Sequence, residues 1–134
     1  MNLLTDINYI HDLLARHGFR FSKSKGQNFL TAAWVPEDIA DAAGLDGQTG
    51  VLEIGPGIGC LTEQLSERAG KVVSVELDTA LRPVLAETLA GRNNVEIVYG
   101  DALKLNISNS VWINTDKTKK NFSKKYTDTL SDVF

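Results

Sequence analysis

The chain has 134 residues, 43% of them hydrophobic and 23% charged, with a formal net charge of −3, which bounds it to one globular domain and is short for a complete α/β enzyme. No run of about 18 apolar residues could cross a bilayer, and the start "MNLLTDINYIHDLLARHG" lacks the continuous apolar region of a secretory signal, so a soluble, cytoplasmic protein without a membrane partner is expected. One cysteine, Cys60, and two histidines, His11 and His17, exclude an internal disulfide and argue against a structural metal.

In chain order, Leu4, Ile7, Ile10 and Leu14 recur at helical spacing and Gly18 follows as a stop, which predicts a helix over residues 6 to 17. The stretch "GFRFSKSKGQNFL" has no clean period and reads as a loop. It is basic: no acidic residue stands between Ala15 and Pro36, while Arg16, Arg20, Lys23 and Lys25 fall close together. With Phe19, Phe21 and Phe29 it offers cations for phosphates and rings for stacking, as RNA binders do; the alternative is a solvated loop whose rings enter the core. Pro36 suits the first turn of a second helix, "PEDIADAAG", which Gly44 would end.

Three strands are predicted next, "VLEI" at 51 to 54, "VVSVEL" at 72 to 77 and "VEIVYG" at 95 to 100, separated by the helical patterns "CLTEQLSERAG" and "DTALRPVLAETLAG". This β-α-β-α-β order implies a parallel sheet with right-handed crossovers, an α/β fold. Pro83 is tolerated because it falls in a first turn. From Ile107 the texture changes to Asn, Ser, Thr and Lys, with a charge of +2 against −5 for the rest. That composition boundary divides the chain into residues 1–106 and a divergent tail, 107–134.

Between the first strand and its helix, Gly55, Gly57 and Gly59 alternate, with Glu53 two positions before the first. Glycines there let a backbone approach a ligand closely. The dinucleotide fingerprint needs its third glycine three positions after the second, so a pyrophosphate fits poorly, and a dehydrogenase reading is disfavoured. An acidic residue beside the loop repels phosphate but suits a cationic amino-acid end. Glu76, ending the second strand, can accept both hydroxyls of a ribose, and Asp101 in "GDAL" can accept the exocyclic amine of an adenine. A ligand with an amino acid, a ribose, an adenine and no phosphate is S-adenosylmethionine (SAM). Each residue has a plainer reading: the glycines a tight turn, Glu76 a solvated strand end, Asp101 a cap on the following turn. Cys60 reads as packing and the histidines as surface or helix-face residues.

Together "KGQNFL", "VLEIGPGIGCLTEQL", "VVSVELD" and "GDALKL", spread over residues 9 to 106, resemble the ribosomal RNA adenine dimethyltransferase family, SAM-dependent enzymes that dimethylate the exocyclic amine of adenines in small-subunit rRNA. The related antibiotic-resistance methylases of large-subunit rRNA share much of the pattern. The resemblance implies the N-terminal half of a Rossmann-like class I methyltransferase fold, with rRNA or the small ribosomal subunit as partner. Carried over by position, it implies SAM contacts at Asn28 and Leu30 in the first motif, Gly55 and Gly57 in the loop, Glu76 on ribose and Asp101 on adenine.

The family places an Asn/Asp-x-Pro-aromatic motif on the target base at the end of its fourth strand, and this chain has none: Pro36, Pro56 and Pro83 all lie upstream. Asn114 and Asn121, with Tyr126 beyond, lack the proline and the adjacent ring, so no catalytic residue is expected among them. The expected account is a truncated or frame-altered member that keeps SAM binding; a non-catalytic SAM- or RNA-binding fragment is the alternative. In the family's sheet the glycine-loop strand is central, so "VLEI" is expected as an apolar edge prone to self-association.

Overall fold

The computed structural model of the chain describes residues 3–19 and 34–105. After a 3-10 turn at Leu3–Thr5, helix α1 spans Ile7–Arg16. Asp6 caps it: its Oδ1 accepts from the amides of Asn8 at 2.9 Å and Tyr9 at 3.1 Å, two donors that a helix start otherwise leaves unpaired. The helix stops at Gly18, as its sequence predicts. Helix α2, Trp34–Ala42, begins two residues before the expected start and takes Pro36 as its third residue. First-turn amides have no intrahelical acceptor, so the missing N–H costs little.

Strand β1 (Gly50–Ile54), helix α3 (Cys60–Arg68), strand β2 (Lys71–Glu76), helix α4 (Arg82–Thr88) and strand β3 (Val95–Tyr99) follow, with a 3-10 turn at Thr79–Leu81 leading into α4. All three strands lie within one residue of their predicted bounds and form one parallel sheet in the order β1-β2-β3, with Val51 beside Val72 and Val72 beside Val95. Among the described residues β1 pairs on one side only, which makes it the edge that the sequence leads one to expect, and Ile54 is exposed there. No helix of the described residues is long and apolar enough to cross a membrane.

Sequential parallel strands joined by right-handed crossovers put their helices on one face. Two core clusters result. Ala40 of α2 packs with Val51, Leu65, Ala69 and Val72, and α1 packs through Ile10, Leu13 and Leu14 with Ile58, Leu81, Val84, Leu85 and Leu89. Polar ties fix α3 between its neighbours. Arg68 Nε donates to Asp41 Oδ1 of α2 at 2.6 Å, and the Asn94 side-chain amide donates to the carbonyls of Ser66 and Ala69, closing the last turn of α3 against the start of β3. That anchoring holds the other end of α3, and the loop before it, at the C-terminal ends of the strands.

Candidate functional site

The loop from β1 to α3 runs through three left-handed glycines, Gly55 (φ +75°), Gly57 (φ +59°) and Gly59 (φ +93°). Conformation alone demands glycine at Gly55: a Cβ there would meet nothing within 4 Å, so the space beside it is open. Gly59 is different. A Cβ there would lie 3.1 Å from Leu89 Cδ2 and 3.2 Å from Thr88 Oγ1, so this glycine seats the loop against the end of α4. Gly59 is also the N-cap of α3 and offers no side-chain cap. Gly55 donates its amide to the Val75 carbonyl at 2.9 Å, which extends the β1–β2 ladder into the loop.

Two buried carboxylates flank this turn. Glu53 points into the protein: its Oε2 accepts from Thr62 Oγ1 of α3 and from Ser74 Oγ of β2, both at 2.6 Å, and both donors are fully buried. The sequence offers Glu53 to a cationic ligand end, but the structure commits at least this oxygen to joining β1, β2 and α3. Burial pushes the Glu53 carboxyl up, the two hydroxyls pull it partly back, and the nearby charge of Glu76 pushes it up further. Glu76, at the end of β2, is bonded to backbone instead. Its Oε1 accepts from the Asp78 amide at 2.9 Å, and the backbone of Gly57 and Leu77 nearby favours its charged form. Its carboxyl too is raised, chiefly by burial.

Asp101 stands just past β3, half-buried. Its Oδ1 accepts from the Leu103 amide at 2.9 Å, so the plainer reading of this residue, a cap on the next turn, is realised here. Gly55, Gly57, Glu76 and Asp101 thus gather at the C-terminal ends of the strands. Asn28 and Leu30 lie outside the described residues, as do Arg20, Phe21, Lys23, Lys25 and Phe29 of the basic stretch and Asn114, Asn121 and Tyr126 of the tail. Cys60 is a packing residue: it belongs to the α1–α4 core, and burial raises its thiol to about 11, which keeps it un-ionised and unreactive. His17 sits at the surface bonded to Glu87 of α4, which Arg16 also grips at 2.8 Å. Sequence reasoning missed Thr62 and Ser74. The one available signal was a serine inside the otherwise apolar strand pattern "VVSVEL".

The arrangement supplies acceptors and negative charge. It can hold hydroxyl and ammonium donors, and a phosphate entering the loop would meet two buried carboxylates. A sequence model of the family described as ribosomal RNA adenine dimethylase matches residues 18–127, past the composition boundary at Ile107. Ribosomal RNA small subunit methyltransferase A of Geobacillus thermodenitrificans is 54% identical over 96 residues, 72% of this chain and 33% of the relative. The protein of the same name from Enterococcus faecalis is 45% identical over 115 residues, 86% of this chain and 37% of the relative. The chain therefore spans about a third of the length of these curated relatives. Among solved structures, the 23S rRNA methyltransferase ErmE matches with a TM-score of 0.55 and 42% identity over 58% of this chain and 32% of its own. A dimethyladenosine transferase from Plasmodium falciparum matches at 0.51 and 32%, over 62% of this chain and 29% of its own.

Proposed function

The chain belongs to the ribosomal RNA adenine dimethylase family, with the α/β fold of those methyltransferases, and from that premise we propose that residues 1–106 form the SAM-binding part of an enzyme that dimethylates adenines of small-subunit rRNA. One observation carries the cofactor assignment: Glu76 lies buried at the end of β2, its carboxylate held by the Asp78 amide beside the left-handed glycine turn. A carboxylate so placed accepts the two hydroxyls of a ribose, and the turn beside it leaves room for the amino-acid end. The acceptors fit SAM, which brings a cationic sulfonium and ammonium and no phosphate to the carboxylates of Glu76 and Asp101. When bound, SAM supplies the activated methyl group.

The residues of this chain bind and orient. Gly55 and Gly57 give the ligand close approach to backbone, Glu76 holds the ribose, and Asp101 keeps a second carboxylate oxygen for the adenine amine. Asn28 and Leu30 complete the berth by family position. Methyl transfer asks for placement more than for acid–base help, and alignment of this kind is worth on the order of 7–11 kcal/mol. A second reading, a non-catalytic SAM- or RNA-binding protein, is favoured by one observation: the 134 residues contain no Asn/Asp-x-Pro-aromatic motif. Calorimetry with SAM tests the berth. Wild-type chain should bind and Glu76→Ala should bind about a hundredfold more weakly; equal affinity for both would refute the ribose assignment. Transfer of labelled methyl to undermethylated small subunits then separates the two readings.

A further inference from the structure

The opposite edge of the sheet carries a feature that cofactor binding does not use. Of the four arginines among the described residues, Arg16, Arg68 and Arg92 are each paired with carboxylates. Arg82 has no such partner there. Its guanidinium lies over the ring of Tyr99, 4.0 Å from the centroid, on an exposed residue at the start of α4. Beneath the pair runs a groove of about 270 Å³ between α4 and β3, walled by Ala86, Leu89, Val95 and Ile97. That is slightly under the roughly 300–1,000 Å³ of pockets for drug-sized ligands, a size for a single ring system. The one charge on its wall is positive, in a chain whose net charge is −3.

Two further placements say what the groove faces. Tyr99 is the register partner of Glu76, so the groove opens at the strand ends that carry the cofactor berth. Arg16 and His17 hold the end of α1 against α4 through Glu87, and Phe19 packs on the same core cluster as Tyr99. A guanidinium held over a ring still has N–H groups to offer a phosphate, and an apolar wall receives a base without reading its sequence.

We propose that the Arg82–Tyr99 groove anchors one nucleotide of the rRNA substrate outside the methylated adenine, with its phosphate on Arg82 and its base against the α4–β3 wall. This rests on the rRNA reading above. The test is binding of an undermethylated small-subunit rRNA transcript to the full chain across a salt series, with SAM calorimetry in parallel. Arg82→Ala should weaken rRNA binding about tenfold and flatten the salt slope by roughly 0.7, one phosphate contact to single-stranded RNA. Arg82→Lys should keep the slope and recover only part of the affinity. SAM affinity should stay at the wild-type value in both. Failure of the wild-type chain to bind the transcript would overturn the rRNA reading and this proposal together. Wild-type binding with an Arg82→Ala variant of equal affinity and slope would overturn this proposal alone, as would a change in self-association on size-exclusion chromatography with rRNA affinity unmoved.

Discussion

Glu53 and Glu76 sit on adjacent strands and are almost equally hidden, at 8% and 7% exposure, yet they are held in different ways. The β1 carboxylate is bonded to two buried side-chain hydroxyls whose own positions are fixed by a helix and a neighbouring strand. The β2 carboxylate is bonded to the backbone amide of Asp78 in the loop that follows it. Hydroxyls locked in a core have no alternative acceptor, so they hold their carboxylate in the interior. Loop amides at the strand ends can give up an oxygen to an incoming hydroxyl. Depth of burial therefore does not separate the two carboxylates; the identity of their donors does.

Replacing each carboxylate in turn should separate these roles. Glu53→Ala strands the hydroxyls of Thr62 and Ser74 at about 1–3 kcal/mol each, so chemical denaturation should show a loss of about 3 kcal/mol or more, with SAM binding lost as a consequence of a disordered loop. Glu76→Ala should do the reverse. SAM affinity should fall about a hundredfold, as expected for two charge-assisted bonds at about 1.5–3 kcal/mol each less imperfect coupling, while the unfolding free energy changes by less than about 1 kcal/mol. If both variants lose the same stability, the contrast between the two sites is wrong. Gly59→Ala falls below these: a left-handed alanine costs about 1–2 kcal/mol, and its Cβ would press on Leu89, so the thermal midpoint should drop by several degrees. A midpoint unchanged within error would mean that the loop is not seated on α4.

The smallest effect is one of slope. Because burial raises the Glu53 carboxyl above its ordinary value of 4.5, the folded chain keeps a proton there that the unfolded chain releases. Stability must then fall as pH rises from 4.5 through the raised value. Glu53→Gln keeps an oxygen acceptor for both hydroxyls and removes the titration, so its stability should decline less than the parent's over that range. Glu76 still contributes a decline of the same sign. Parallel stability–pH curves for parent and Gln variant would remove Glu53 as the source.

Much of this could be read from the sequence because it is local. The helix over residues 6 to 17 with Gly18 ending it, the three strands and the glycine turn at Gly55, Gly57 and Gly59 are all set by residues within a few positions of one another. The placement of Glu76 and Asp101 at strand ends followed from the strand pattern alone. What escaped was contact across the fold. Thr62 and Ser74 stand 9 and 21 residues from Glu53, and Glu87 stands 71 from Arg16; only the assembled sheet and helices bring them together. In sequence Glu53 reads as a partner for a cationic ligand end because its neighbours are the loop glycines. Its neighbours in space, a serine one strand over and a threonine on the covering helix, take one of its oxygens for the fold. The Arg82–Tyr99 stack was invisible for the same reason, since the β2–β3 register decides which side of β3 the ring takes.

The one-sided pairing of β1 has a thermodynamic corollary. Any parallel strand that adds to its open edge would finish level with Gly55, so hydrogen-bonding the sheet and walling the berth would be a single event. Linkage then makes the two reciprocal: whatever occupies the turn favours the added strand by as much as the strand favours the occupant. Nucleoside affinity would serve as a gauge of how far the sheet has been extended.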